Sequence, residues 1–397
     1  MRGLALKTYA LALAIALTAG GAWAANISVS KLELLTHGSV DSATGRLGID
    51  SRLFFGMALE GGNKFAGLLL MDFLSGNMEK DLAEWSAPLP DTAGLVDVIN
   101  RLNAASSMRL RTAAVTARRP LNLPLEATYF VGSMGAFCSG DDFVPLFGAA
   151  PFATEMRGPM QYPEGVGGDP DRFYDGIHGV YGTGLRLGTV GIEKMAGYLY
   201  LYQDADLGAG RWSGDIRALI DGKMVKIEAF LGGSADERYK SGLYRAGLLF
   251  HYAPGDVGEF YAQVGIPRWE ASTAFSVDSL FFLFEPRVNF AEGSIALTVF
   301  YHPAYYLQRA TNENGALDVG INVRIGQLSQ SGTQGGVSSL IAIRPQSTTM
   351  LSVDIAPYYS FITSGVQWDF KLGIRPFPLP SAWFGIFRPF VGIKTSY

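Results

Sequence analysis

The feature that most constrains this chain is a period of two that recurs in short segments. In 317–325, Leu317, Val319, Ile321, Val323 and Ile325 share one face, while Asp318, Asn322 and Arg324 share the other. Successive side chains of a strand point to opposite faces, so such a segment is a strand with one apolar and one polar side. In 366–375, Val366, Trp368, Phe370, Leu372 and Ile374 oppose Gln367, Asp369, Lys371 and Arg375. In 244–252, Tyr244, Ala246, Leu248, Phe250 and Tyr252 oppose Arg245 and His251; in 225–231, Val225, Ile227, Ala229 and Leu231 oppose Lys226 and Glu228. The segments 257–266 and 351–361 repeat the pattern, with Glu259 and Gln263, and with Ser352, Asp354 and Ser360, on their polar sides.

Two folds use such strands. A soluble sandwich buries the apolar faces against each other, whereas a membrane barrel turns them outward to lipid. The N-terminus bears on the choice. Arg2 and Lys7 precede an apolar run over 9–17, and Ala22-Trp23-Ala24 fits a signal-peptidase site, so 1–24 are expected to be removed and 25–397 to form one domain. The run is too short for a membrane-spanning helix, and nothing after it approaches the eighteen or so consecutive apolar residues that one needs. In a bilayer every backbone polar group must be satisfied internally, which leaves a closed barrel for an exported chain of this kind. Losing Arg2 and Lys7 takes the formal charge from −4 to −6; no basic patch for nucleic acid is evident. Cys138 is the only cysteine, so no internal disulfide is possible, and it reads as an inert small residue in a loop.

The last fourteen residues, 384–397, read FGIFRPFVGIKTSY. Phe387, Pro389, Val391 and Ile393 alternate with Arg388, Phe390, Gly392 and Lys394, and the chain stops on Tyr397. This resembles the C-terminal closing strand of bacterial outer-membrane β-barrels, porin-like in architecture. The resemblance implies an outer-membrane location after export. It also implies recognition of Tyr397, Ile393 and Val391 by the barrel assembly machinery, with periplasmic chaperones and outer-membrane lipids as partners.

Eighteen candidate strands follow from the alternation: 27–35, 52–60, 64–73, 107–117, 124–132, 178–188, 193–203, 211–220, 223–232, 241–252, 256–266, 277–288, 293–302, 316–326, 336–344, 349–361, 364–375 and 385–397. The fold class is therefore all-β, a transmembrane antiparallel up-and-down barrel with an even strand number of about 14–18. Tight turns at 61–63, 221–222 and 253–256 alternate with longer polar links at 74–106, 133–177, 204–210, 233–240 and 304–315. Only 327–335 is long on the short-turn side. Leu95, Val98, Ile99 and Leu102 recur at helical spacing after Pro90-Asp91-Thr92, which predicts a short helix within 74–106.

No enzyme is expected. His37, His178, His251 and His302 belong to no nucleophile-elbow motif. No His/Cys spacing suits a metal, and Asp169, Asp171 and Asp175 lack the calcium-loop spacing, so no metal or cofactor is expected. What remains is a polar phase rich in charge. Arg52, Arg109, Arg111, Arg186, Asp215, Arg217, Lys226, Glu228, Arg245, Glu259, Asp318, Arg324, Asp369 and Lys371 all fall on it. Burying so many charges in a dry core is prohibitive, and a water-filled lumen removes the difficulty. By strand count 133–177 is the third external loop. Folded inward, its Asp141, Asp142, Glu164, Asp169, Asp171 and Asp175 would face Arg52, Arg109, Arg111 and Arg186 across a constriction; left outside, it is a solvated flap. The expected function is passive diffusion of small hydrophilic solutes. A fatty-acid-type transporter and a structural or adhesive barrel with a blocked lumen are the alternatives. A homo-oligomer stays open.

Overall fold

The computed structural model describes residues 26–40, 47–62, 64–75, 107–158, 174–207, 211–236, 239–303, 306, 316–328, 332–345, 350–379 and 386–395. The signal segment 1–24, the helix expected within 74–106 and Tyr397 lie outside them. Eighteen strands make one sheet. They are β1 Asn26–Val40, β2 Leu47–Gly61, β3 Phe65–Ser75, β4 Ser107–Arg118, β5 Leu125–Phe137 and β6 His178–Thr189. Then come β7 Met195–Asp204, β8 Trp212–Asp221, β9 Val225–Asp236, β10 Tyr239–Tyr252, β11 Gly258–Glu270 and β12 Phe281–Phe290. The last are β13 Gly293–His302, β14 Ala316–Gly326, β15 Thr333–Ile343, β16 Leu351–Thr363, β17 Val366–Phe377 and β18 Phe387–Thr395.

Each strand pairs antiparallel with the next, and β18 also pairs with β1 through Leu34↔Ile393 and Thr36↔Val391. The sheet is therefore a closed barrel without an edge, and all its ladder hydrogen bonds are internal. The side-chain phase is that expected from the alternation. Ile321, Ile325, Leu248, Leu231, Phe370 and Leu372 face outward and are exposed, while Asp318, Asn322, Arg245, Glu228 and Asp369 face inward and are buried. Exposed aliphatic and aromatic side chains recur on nearly every strand, and such a belt belongs in hydrocarbon rather than water.

Several boundaries move from those read in the sequence. β1 and β2 are longer, because their ladder continues to Val40↔Leu47. β5 runs on to Phe137, so the third long link is 138–177 rather than 133–177. The expected polar link 233–240 shrinks, since Asp236 pairs with Tyr239. β15 begins at Thr333 instead of 336, which cuts the anomalous link to 327–332. β12 starts at Phe281, after a 3₁₀ turn over Val277–Ser279. Polar residues hid these extensions: a lumen-facing strand end looks like a loop in sequence. A bulge at Arg111, between Leu70↔Thr112 and Met71↔Leu110, keeps both Arg111 and Thr112 from strict alternation.

Lipid-facing and lumen-facing positions should differ in their tolerance of charge. Ile321→Arg, near the middle of β14, should cost about 2–4 kcal/mol of folding free energy. Ser352→Lys, facing inward beside Asp354, should cost little. Urea unfolding in lipid vesicles measures both; equal losses would mean the faces are misassigned.

Candidate functional site

The link 138–158 turns into the barrel and lies on the inner wall formed by β8–β14. Cys138 starts it: its backbone N–H donates to Glu228, and its carbonyl accepts from the Gln263 amide. The helix α1 (Phe143–Phe147) follows, with Phe143 buried against Phe147 and Phe152. Phe152 stacks on His251 at 4.3 Å, and His251 bonds Glu259 at 2.8 Å. A 3₁₀ turn at Glu155–Arg157 is capped by Thr154, whose hydroxyl also donates to Glu285 at 2.8 Å. Residues 174–177 return to β6. Tyr174 donates to Gln263 at 2.5 Å and packs edge-on against Phe300 and Tyr306. Gly176 has φ +73, and a Cβ there would strike the Phe137 carbonyl, so the return needs glycine.

Ion pairs hold this segment to the wall. Arg217 on β8 bonds both Glu228 at 2.7 Å and Asp142 of the link. Glu155 receives Arg324 at 2.5 Å, Arg287 at 3.0 Å and the Asn322 amide. Asp141 and Arg157, both in the link, form a two-pronged pair at 2.5 and 2.7 Å. Burial opposes the Arg157 charge, but the Asp141 carboxylate more than offsets it, so the guanidinium stays protonated. Burial pushes the Tyr174 hydroxyl well above its usual range. The Cys138 thiol is likewise pushed well up, by burial first and by the Glu228 carboxylate second.

This geometry corrects the assignment of charges to a wet lumen. Asp215, Arg217, Glu228 and Arg245 point inward as expected, yet they are no more than 6% exposed. They pair with one another and with the link, although among the described residues Arg217 Nη2 and Glu228 Oε2 are buried without a hydrogen-bond partner. Arg245 makes a bidentate pair with Asp215 at 2.6 and 2.9 Å and bonds Ser234 at 2.6 Å. Gly232 makes room for that carboxylate, because a Cβ there would overlap Asp215. Removing ions from water is tolerable when each finds an opposite charge and its remaining hydrogen bonds.

The expected constriction is corrected as well. Asp142 faces Arg217, and Asp141 faces Arg157 of its own segment, not the four arginines named from the sequence. Arg52 bonds Asp72 at 2.6 Å and Arg186 bonds Glu126 at 2.8 Å. Among the described residues, Asp175 acts electrostatically on Arg111, which also lies 3.7 Å from Asp72 and over the Phe54 ring. Arg109 lies on β4 opposite Asp72 in register. Glu164, Asp169 and Asp171 fall outside the described residues. Lys226 lies 3.6 Å from Asp221 and over the Phe152 ring, and Glu259 pairs with Arg287 at 2.7 Å. Asp318 meets Arg344 at 2.7 Å; Asp369 accepts from Gln367 at 2.9 Å; Lys371 sits over Phe390. Ile393 and Val391 stand in the β18–β1 ladder. Glu155 is one of the acids of the link and Arg287 lies on the polar phase of β12, as the sequence has them; the residues that the sequence reading missed are Arg157 and Tyr174, both in the link, where no periodicity marks an inward side chain.

The interior is thus divided. Arg52, Arg111, Arg344, Arg375 and Arg388 keep 22–41% of their side chains exposed, on the arc from β15 through β18 to β4. Along the link the inward charges Asp215, Arg217, Glu228 and Arg245 are buried, whereas these five arginine side chains stay partly exposed.

No protein-family model matches the chain, and no curated protein matches it. Among solved structures, a variant of the Rh. blastica porin aligns at 10% identity with TM-score 0.47, over 94% of this chain and 100% of that one. Another variant of that porin gives a TM-score of 0.48 with the same coverage. OmpF of Salmonella typhi aligns at 8% identity with TM-score 0.44, over 93% of this chain and 96% of that one. The fold itself, a closed barrel of eighteen antiparallel strands, rests on the strand pairing. The similarity is one of chain path.

Two outcomes follow. Arg217→Met should destabilise the barrel by about 3–5 kcal/mol, because Glu228 and Asp142 lose their counter-charge. Adding Glu228→Gln and Asp142→Asn should recover much of that loss in vesicle unfolding. The Cys138 thiol should stay unmodified by maleimide in the folded barrel and react after denaturation, as read by mass spectrometry.

Proposed function

We propose that the protein is an outer-membrane channel for passive diffusion of small hydrophilic solutes. The observation that carries this reading is the division of the lumen. The inward-folded link covers one arc of the wall, and on the other arc Arg344, Arg375 and Arg388 stay 22–41% exposed beside their carboxylate partners, where water or a polar solute completes their hydrogen bonds. A barrel of eighteen strands has more interior than side chains alone fill, and the link occupies part of that space and narrows what remains. The outward apolar belt and the closed ladder supply the membrane fit. In this reading the link sets the width of the passage, while the wall arginines set the field across it. The outer membrane is the location consistent with an exported barrel of this form.

The test is reconstitution. Purified protein in liposomes should admit uncharged sugars at rates that fall steeply with solute size, and planar bilayers should show discrete conductance steps. Deleting 139–172 together with neutralising Arg217, Glu228, Arg287 and Arg324 should raise the step size. Liposomes that stay impermeable to the smallest sugars would favour a blocked, structural barrel.

A further inference from the structure

On β14–β18, near the end that carries the long links, three arginines surround two carboxylates. Asp354 on β16 accepts from Arg375 Nε at 3.1 Å and Nη2 at 3.3 Å, and also from Arg388 Nη2 on β18. Asp318 on β14 accepts from Arg344 Nη1 at 2.7 Å, and His302 Nε2 lies 3.4 Å away. The register brings the two groups together: Asp318 stands opposite Ala342, and Ala342 opposite Ser352, two residues before Asp354. The cluster carries three positive and two negative charges.

Its layering matters more than its sum. The Asp318 side chain is fully buried and that of Asp354 is 17% exposed, whereas Arg344, Arg375 and Arg388 are 22%, 37% and 41% exposed. The acids are the more buried members of the cluster and the inward-facing arginine side chains the more exposed ones. A solute there meets N–H donors rather than carboxylate oxygens. Each guanidinium has five donors in a fixed fork. Among the described residues, Arg388 spends one nitrogen on Asp354, and its buried Nε has no hydrogen-bond partner. Asp354 fixes the two side chains of β17 and β18 in place, which lowers the entropy cost of organising them around a ligand. Planar forks held this way match groups that present two oxygens to one side, namely carboxylates and phosphoryl groups.

We propose that Arg344, Arg375 and Arg388, layered over Asp318 and Asp354, form a docking station for small oxyanions in the lumen. The station makes the passage selective for anionic over neutral or cationic solutes of equal size. It deepens the channel reading and relies on it for solute access, but binding is measurable without any flux.

The experiment has two arms on the full-length barrel. In detergent, equilibrium dialysis measures binding of radiolabelled citrate and, separately, of inorganic phosphate, at low ionic strength. In planar bilayers, reversal potentials in a salt gradient give the anion-to-cation permeability ratio. Wild type should bind at least one of the two probes saturably and lose it as salt is raised; the stronger probe identifies the preferred oxyanion. Arg375→Gln/Arg388→Gln/Asp354→Asn, which is neutral throughout, should weaken binding about tenfold, the size expected for losing charge-assisted hydrogen bonds. It should also shift permeability toward cations. Arg388→Gln alone should give a severalfold loss and guards against misfolding of the triple variant. Binding of neither probe, or equal binding by wild type and Arg388→Gln, overturns the station. Arginine-dependent binding in a barrel that carries no current upholds the station and removes the channel reading. Sized conductance without binding does the reverse.

Discussion

The structure depends on the closure of one hydrogen-bond ladder. β18 pairs with β17 on one side and with β1 on the other, so the last strand in the chain seals the first. In a hydrocarbon medium an unpaired strand edge leaves a row of amide and carbonyl groups unsatisfied, at several kcal/mol each. Once the ladder closes, the sign of every position follows from the pleat. Outward side chains must be apolar, and inward ones are free to be charged. The bulge at Arg111 shows how local this rule is, because one extra residue resets the phase of the strand that follows it.

Closure leaves an interior too wide to fill from the walls, and the described part of the third long link, 138–158 and 174–177, lies within it. The link is not loosely laid there. Glu155 gathers Arg287 and Arg324, Asp142 joins the Arg217–Glu228 pair, and aromatic rings from Phe143 to Tyr174 pack between these ties. Charge and apolar contact work together here: the rings exclude water, and exclusion strengthens the ion pairs. On the opposite arc Arg375 and Arg388 stay partly exposed, and their partner Asp354 is the more buried of the three.

The strand pattern was legible because a lipid-facing strand leaves a strict signal: every second residue is apolar, as in Leu317 to Ile325. The strand ends were less so, because extensions such as 133–137 and 333–335 carry Ser, Gly and Gln that read as links. The inward direction of Asp215, Arg217, Glu228 and Arg245 followed from phase alone. Their burial did not, since it depends on what a distant segment covers. The same limit explains why the loop acids were matched to the wrong arginines. Asp142 could be seen as inward-pointing charge, but its partner Arg217 is decided by where the link comes to rest, and no periodicity in 138–158 encodes that. Glu155 and Arg287 meet across more than a hundred residues of chain, a pairing that only the closed barrel creates.

The uneven filling of the lumen has a mechanical side. Along β8–β14 the wall is two layers thick, strand backed by link and stitched by ion pairs. From β15 round to β4, among the described residues, it is the single ladder with short side-chain contacts. A tube stiffened on one flank does not deform as a circle. Lateral pressure from the bilayer, or a change in its thickness, is taken up by the thin flank, which bows while the braced one holds its curvature. In the channel reading proposed above, the solute path runs along that thinner flank, beside Arg344, Arg375 and Arg388, rather than along the braced one.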